Sequence, residues 1–122
     1  MDRSDRRAAQ QRGVHAERLV EEELTALGWR VLARNFEAAG AELDLVVERQ
    51  GAIRFVEVKA RTDAFIDALE SITPDKRRRL IRAARAWMAD HPAILEAAFM
   101  IAVVHCEALP WTVELLDDPF DA

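Results

Sequence analysis

The chain has 122 residues, which is the size of a single domain, and 51% of them are hydrophobic, which is enough for a buried core. Its formal net charge of −5 does not favour nucleic-acid binding by bulk electrostatics, because nucleic-acid-binding domains are typically basic. A single cysteine excludes an internal disulfide, and no apolar run reaches the length of a membrane-spanning helix.

Composition along the chain indicates one folded domain over residues 13–116. Residues 1–12 are rich in arginine and glutamine and have little to bury, so we expect a flexible N-terminal tail. Residues 117–122 are predicted to be an acidic tail. Because the N-terminus lacks an apolar segment and cysteine is rare, we expect a cytoplasmic protein without a secretory signal.

The first predicted element is a helix over Val14–Leu27, and Gly28 is expected to end it. The apolar stripe of this helix consists of Ala16, Leu19, Val20, Leu24 and Leu27. Glu17 lies at the border of the stripe. There it is either a carboxylate that reaches a site on the neighbouring sheet or one of several solvent-facing glutamates.

A strand over Trp29–Asn35 and a loop over Phe36–Ala41 are predicted next. The two segments that follow, Glu42–Glu48 and Ile53–Lys59, are rich in Val, Leu, Ile and Phe, which is typical of strands. Because only a short turn separates them, they predict a β-hairpin.

The register of this hairpin follows if residues 50–51 form its tip, because Asp44 then faces Glu57 and Glu42 faces Lys59. One face of the hairpin would carry Glu42, Asp44, Val46, Phe55, Glu57 and Lys59. The other face would carry Leu43, Leu45, Val47, Val56 and Val58.

This register places the like charges of Asp44 and Glu57 about 5 Å apart, which destabilises a sheet. Lys59 offsets part of the repulsion, and a divalent cation would offset more, since Mg²⁺ prefers one or two carboxylates together with water and phosphate oxygens. Such a site can activate a water and stabilise charge on a phosphodiester. The alternative is a solvated hairpin face on which Glu42 and Lys59 form an ordinary ion pair.

The second predicted helix begins with Thr73 as its N-cap and Pro74 as its first residue, and it extends to about Asp90. Its buried stripe consists of Leu80, Ile81, Ala84, Trp87 and Met88. Lys76 points toward the stripe side, where it could reach the hairpin. The outward face carries Arg78, Arg79, Arg82 and Arg85, which form either a phosphate-binding surface or a solvated helix surface.

The last predicted elements are a central strand over Ala97–Cys106, which is apolar almost throughout, and an edge strand over Trp111–Leu115. Arg61, after the hairpin, either reaches a phosphate or pairs with a nearby acid. An exposed edge strand, or the apolar residues near Phe65 and Phe120, would support a dimer, which the sequence leaves open.

Asp44 and the tripeptide Glu57-Val58-Lys59, with twelve residues between them, resemble the PD-(D/E)XK nuclease motif. A longer and more specific pattern surrounds this motif: Gly13-x-x-x-Glu17, Gly28-Trp29, Arg34-Asn35-Phe36, Gly40-Ala41-Glu42-Leu43-Asp44-Leu45, Phe55-Val56-Glu57-Val58-Lys59-Ala60-Arg61 and Lys76. In this order the segments resemble the YraN family, also called UPF0102, of small bacterial proteins with a restriction-endonuclease-like fold. The resemblance extends from about Gly13 to about Val104.

The resemblance implies an α/β fold with a mixed central sheet flanked by helices, in the order αβββαβ, with an extra edge strand allowed. It also implies a Mg²⁺- or Mn²⁺-dependent nuclease that hydrolyses phosphodiester bonds of DNA, including branched or structured DNA. Because no base-reading element is recognisable, we expect little sequence specificity.

Roles for individual residues follow from the same resemblance. Asp44, Glu57 and the Val58 carbonyl would bind the metal, Lys59 would hold the attacking water, and Glu17 and Glu42 would support a second metal or a water. The residues expected to bind nucleic acid are Arg61, Lys76, Arg78, Arg79 and Arg82.

Three positions depart from the family pattern. Ala41 replaces the second glycine before the acidic segment, Ile66 stands where relatives have glycine, and Met100 stands where many relatives have aspartate. These departures leave two other functions open: a nucleic-acid-binding module without cleavage activity, and a protein-interaction domain with an exposed acidic hairpin.

Overall fold

A computed structural model describes residues 3–119 of the chain apart from 62–71 and 93–95. In chain order the elements are α1 (Arg3–Ala26), β1 (Arg30–Ala38), β2 (Ala41–Arg49), β3 (Ala52–Arg61), α2 (Pro74–Ala89), β4 (Glu96–His105) and β5 (Thr112–Asp117). Three positions named in the sequence analysis lie outside the described residues: Ile66, a departure from the family pattern, and Phe65 and Phe120, near which apolar residues would support a dimer.

The strands form one sheet in the order β1-β2-β3-β4-β5, with β3 and β4 parallel and every other neighbouring pair antiparallel. Helix α1 covers one face of this sheet and packs on a cluster that includes Leu45, Val56 and Met100. Helix α2 covers the other face and packs on a cluster that includes Phe55 and Phe99. The predicted mixed sheet flanked by helices is therefore confirmed, with β5 as the extra edge strand, and it is compatible with a restriction-endonuclease-like fold.

Helix α1 begins at Arg3, eleven residues before the predicted start at Val14. The added segment consists mainly of arginine, alanine and glutamine, which have high helix propensity, and Gly13 lies within the helix. This segment lacks the apolar periodicity from which the helix start at Val14 was predicted. At the other end Gly28 has a φ of 93°, as expected of a glycine that follows a helix.

The first hairpin turn corrects the predicted loop over Phe36–Ala41. Ala38 pairs with Ala41, so the two strands are joined by Ala39 and Gly40 alone, at φ values of 52° and 76°. Two consecutive positive φ values are typical of a type I′ turn. Ala41 itself is the first residue of β2 and is not among the residues with positive φ, so the loss of a glycine there causes no backbone strain.

The second hairpin has the predicted register. Arg49 pairs with Ala52 and Leu45 with Val56, so Gln50 and Gly51 form the tip. Pairing between β2 and β3 ends at Leu45–Val56, however, and does not include Asp44 opposite Glu57.

Leu43 lies on the opposite face of the sheet from the one predicted. It is buried under α2, whereas Leu45 is buried under α1. Asn35 of β1 lies between the partners of these two leucines, and its φ of 51° is outside the extended range. The regular alternation of side chains is therefore interrupted at this point.

The start of α2 is confirmed in detail. The hydroxyl of Thr73 accepts a hydrogen bond from the backbone N–H of Lys76 at 3.2 Å, and Pro74 is the first helical residue. The buried residues of the helix are Leu80, Ala83, Ala84 and Trp87. This cap and stripe fix the first turn beside the sheet, with Lys76 directed toward β3.

A buried arginine that the sequence analysis did not identify ties β5 to the sheet. Arg54 of β3 contacts Asp117 through its Nε at 2.6 Å and Glu96 through its Nη2 at 2.9 Å. Asp117, assigned by the sequence to the acidic tail, is therefore the last residue of β5. Among the described residues, no helix combines the length and the apolar character needed to cross a membrane.

Candidate functional site

The candidate site lies where the pairing of β2 with β3 ends. Asp44 of β2 directly precedes Leu45, at which this pairing ends, and its Oδ2 accepts a hydrogen bond from the backbone N–H of Val58 at 2.8 Å. Glu57 precedes Val58 on β3 and is 8% exposed. Because the pairing ends here, a space remains between the two strands, and the side chains of Asp44 and Glu57 border it.

A cavity of about 390 Å³ occupies this space. Its lining residues come from the β1–β2 turn, β2, β3 and the first turns of α2: Gly40, Ala41, Glu42, Asp44, Glu57, Lys76, Arg79 and Leu80. A second cavity of about 450 Å³ adjoins it at the turn and shares Gly40, Ala41 and Glu42. The combined opening is large enough for a phosphate group and its neighbouring sugars.

Three carboxylates meet at one side of the cavity. Oxygens of Glu17, Glu42 and Asp44 all lie within 4.8 Å of one another. Glu17 comes from α1, so the cluster joins a helix to two positions of β2. Glu17 is partly buried, and its carboxylate reaches Asp44 and Glu42 on the neighbouring sheet.

The electrostatics of this carboxylate cluster are unfavourable for an ion-free protein. Burial, together with the charge of Glu57, raises the pKa of Asp44 to about 8, although the Val58 N–H opposes the shift. Burial also raises the pKa of Glu17, and the charges of Glu42 and Glu57 add to this increase. Burial is the largest cause of both shifts, and the neighbouring carboxylates add to it.

Glu57 is outside that cluster and is instead held by two lysines. Its Oε1 lies 3.0 Å from the Nζ of Lys76 and 3.4 Å from the Nζ of Lys59. Burial lowers the pKa of Lys59, and the adjacent Lys76 lowers it further. The site thus has an acidic side, formed by the cluster, and a basic side, formed by the lysines around Glu57.

The two hairpin pairs expected from the register are not formed. The pairing of β2 with β3 does not extend to Asp44 or Glu42, and in the β1–β2 ladder Glu42 is opposite Glu37. Lys59 contacts Glu57 rather than Glu42. The reason is that the β2–β3 pairing stops at Leu45 and Val56, whereas sequence periodicity extends it to Asp44 and Glu42.

The candidate nucleic-acid-binding arginines are divided among different surroundings. Arg79 lines the cavity, so the helix face that the sequence placed outward borders the site. Arg78 forms an ion pair with Asp75, and Arg82 is exposed. Arg61 lies at the end of β3 in register with His105, outside the residues that line the cavity in the described part of the chain.

Met100, where many relatives have aspartate, does not border the cavity. It is 4% exposed and packs in the apolar cluster under α1. Val58 contributes its backbone N–H to Asp44, and its side chain packs against the same cluster. The replacement at Met100 therefore leaves the side chains that line the cavity unchanged.

Sequence comparisons identify related proteins over most of the chain. The family model described as uncharacterised protein family UPF0102 matches residues 16–106. A UPF0102 protein of Methylobacterium nodulans is 54% identical over 89 residues, which cover 71% of this chain and 67% of the relative. Another, of Methylocella silvestris, is 47% identical over 91 residues, with 75% and 73% covered.

A third relative extends the similarity to nearly the whole chain. It is a UPF0102 protein of Rhodopseudomonas palustris, 41% identical over 120 residues, which cover 97% of this chain and 91% of the relative. The segment matched by the family model includes every acidic residue of the candidate site as well as Lys59 and Lys76. The chain belongs to the uncharacterised protein family UPF0102.

Proposed function

We propose that the protein is a Mg²⁺- or Mn²⁺-dependent nuclease that hydrolyses phosphodiester bonds of DNA. The single observation that carries this proposal is the meeting of Glu17, Glu42 and Asp44 within 4.8 Å, beside a cavity that Lys76 and Arg79 also line. Hard divalent cations prefer carboxylate oxygens, and phosphates prefer lysine and arginine. A metal ion bound to the phosphodiester would contact the carboxylates, and the phosphate would contact Lys76 and Arg79 in the same cavity.

The donor set fits such a cation. All of the clustered side chains are carboxylates, and oxygen-only sites are typical of Mg²⁺ and Mn²⁺ rather than of zinc or copper. Burial and the charges of neighbouring carboxylates raise the pKa of Asp44 and of Glu17, so a cation beside these two residues would offset that repulsion. When bound, the metal would supply an activated water and stabilise charge on the phosphodiester.

Asp44 is the proposed central ligand, with Glu17 and Glu42 beside it and Glu57 as a further carboxylate on the opposite strand. Val58 holds Asp44 in place through its backbone N–H. The Val58 carbonyl remains a proposed oxygen ligand on the strength of the family resemblance alone.

Lys59 is the proposed partner of the attacking water and of the negative charge that develops on the phosphate. Its side chain is 14% exposed and its ammonium lies 3.4 Å from Glu57, so it is held in position before a substrate enters. Because burial and Lys76 lower the pKa of Lys59, this residue releases a proton more readily than an exposed lysine does.

The nucleic acid is proposed to approach over the first turns of α2. Lys76 and Arg79 line the cavity, and exposed Arg78 and Arg82 lie on the same helix. Contacts of this type recognise phosphates and not bases, so we propose little sequence specificity. The local group of basic residues supplies positive charge that the net charge of the chain does not reveal.

The proposal is tested by incubating plasmid DNA and a branched DNA junction with the protein in Mg²⁺, in Mn²⁺ and in chelator. We expect cleavage that requires the metal and that Asp44→Asn abolishes. Glu23→Gln is the control, since Glu23 is an exposed carboxylate of α1 that lies outside the carboxylate cluster and does not line the two cavities. Cleavage by Asp44→Asn at the wild-type rate would refute the proposal.

A second function, nucleic-acid binding without hydrolysis, is supported by the exposed arginines of α2, which do not depend on the carboxylates. It predicts retention of DNA that is the same for wild type and Asp44→Asn, with no cleavage by either. Indifference to both metal and DNA would instead favour the third function, a protein-interaction domain.

A further inference from the structure

The contact of two lysines with one glutamate oxygen has no obvious need in the fold. A single ammonium would balance the charge of Glu57, and Lys59 already lies 3.4 Å from its Oε1. Lys76 nevertheless lies closer to the same oxygen, at 3.0 Å. The second ammonium therefore lies between Glu57 and the carboxylate cluster, where it also interacts with the charge of Asp44.

Of the two lysines, Lys76 is the one whose side chain can move away from Glu57. Its side chain is 33% exposed, whereas that of Lys59 is 14% exposed. Its backbone is fixed by the Thr73 cap at the first turn of α2, so only the flexible side chain needs to move. Because Lys76 lines the same cavity as Asp44 and Arg79, a phosphate in that cavity meets its ammonium directly.

The Oε1 of Glu57 is paired with two ammonium groups, and Glu57 does not belong to the carboxylate cluster. It borders the cavity beside Asp44, but it is not among the three carboxylates that lie within 4.8 Å of one another. A cation that uses all four carboxylates requires Glu57 to turn away from Lys76. The ammonium of Lys76 would also repel that cation until it moved.

We propose that Lys76 holds Glu57 back from the cation site until a phosphate-bearing ligand draws the lysine away, so that the cation and the phosphate bind cooperatively. The proposal rests on the function proposed above, because it requires a cation and a phosphate to share the cavity. Each ligand removes part of the cost of binding the other, and this coupling is necessarily reciprocal.

A simple charge effect is the alternative that the experiment must separate from this proposal. Removing any nearby positive charge favours cation binding somewhat. Arg79 provides the matched control, since it carries the same charge, lines the same cavity and acts electrostatically on Asp75. Of these two residues, Lys76 forms the ion pair with Glu57.

The experiment is isothermal titration calorimetry of Mn²⁺ into the full-length protein, with and without a saturating short DNA duplex whose phosphorothioate linkages resist cleavage. Wild type, Lys76→Gln and Arg79→Gln are compared. For wild type we expect the duplex to tighten Mn²⁺ binding by about fivefold or more, which is the lower range of measured coupling between sites.

The two variants are expected to differ in the absence of DNA. Lys76→Gln should bind Mn²⁺ about fivefold more tightly than wild type and gain less than about twofold from the duplex, because Glu57 is already released. Arg79→Gln should change the Mn²⁺ affinity without DNA less than Lys76→Gln does, because it removes the same charge but leaves the Lys76–Glu57 ion pair in place. Lys76→Ser measures the same quantities if Lys76→Gln is unstable.

Equal Mn²⁺ affinities of Lys76→Gln and Arg79→Gln without DNA would overturn the proposal, as would wild-type coupling in Lys76→Gln. Failure of the proposed function has a different signature. In that case wild type binds no Mn²⁺ with or without the duplex, or Asp44→Asn binds Mn²⁺ as wild type does.

Discussion

The Oδ2 of Asp44 accepts a hydrogen bond from the backbone N–H of Val58 at 2.8 Å, across the gap where the pairing of β2 with β3 ends. This bond holds a partly buried carboxylate at the wall of the cavity. The N–H favours the ionised form, but burial and neighbouring carboxylates prevail and raise the pKa of Asp44 to about 8. Four measurable consequences follow from this geometry and its surroundings.

The metal-free protein should become less stable as pH rises from about 4 through about 8, the interval between the ordinary and the raised pKa of Asp44. The folded state retains the Asp44 proton in this interval and the unfolded state releases it, so increasing pH favours unfolding. Asp44→Asn removes the titration, and at alkaline pH it should be more stable than wild type by on the order of 1–3 kcal/mol.

Urea denaturation in chelator, repeated across this pH interval, measures the difference. Glu23→Gln is the control, because Glu23 is an exposed residue of α1 and its removal should leave the pH dependence unchanged. Parallel stability curves for wild type and Asp44→Asn would contradict the expected role of the Asp44 proton.

Mn²⁺ should raise the melting temperature of wild type and leave that of Asp44→Asn unchanged. A ligand at 100 times its dissociation constant stabilises the folded state by about 2.7 kcal/mol. Glu17→Gln and Glu42→Gln each remove one carboxylate of the cluster and should reduce the shift.

Differential scanning fluorimetry over a range of Mn²⁺ concentrations gives the measurement, with Glu23→Gln as the control that should respond as wild type does. A shift of the same size in Asp44→Asn would place the cation elsewhere on the protein.

Lys59→Met should slow DNA cleavage about 10²-fold or more, which is typical for loss of one group that stabilises transition-state charge. DNA affinity should change far less, because Lys59 is 14% exposed and the more accessible Lys76 and Arg79 remain. Single-turnover cleavage rates and DNA dissociation constants, measured in parallel, separate these effects.

For this prediction Arg18→Gln is the control, since Arg18 is an exposed cation on α1 beside Glu17. An equal loss of affinity and rate in Lys59→Met would assign the residue to binding rather than to the reaction.

Arg79→Ala and Arg82→Ala should weaken DNA binding without changing its sequence preference. Each phosphate contact that is lost lowers the slope of log affinity against log salt by about 0.9. Arg30→Ala removes an exposed arginine of β1 that forms an ion pair with Glu48. This variant should leave the slope unchanged.

Fluorescence anisotropy at several salt concentrations provides the slopes. If Arg30→Ala reduces the slope as much as Arg79→Ala does, the DNA does not follow the first turns of α2.

The sequence by itself determined the elements that depend on local chemistry. Thr73 and Pro74 specify the start of α2, Gln50 and Gly51 the tip of the second hairpin, and the apolar run of β4 a strand that is covered on both faces. These features were predictable because caps, turns and hydrophobic periodicity act over a few neighbouring residues. The family pattern added the acidic residues and lysines as candidates for one site.

Only the tertiary structure decided how those residues meet. Periodicity assumes that a strand pair continues, so it placed Asp44 opposite Glu57 and Lys59 opposite Glu42, whereas the pairing ends one residue earlier. Glu17 reaches Asp44 only because α1 packs on the face of the sheet beside Asp44. Contacts between distant segments depend on where a ladder stops and how a helix packs, and neither is encoded in the spacing of nearby residues.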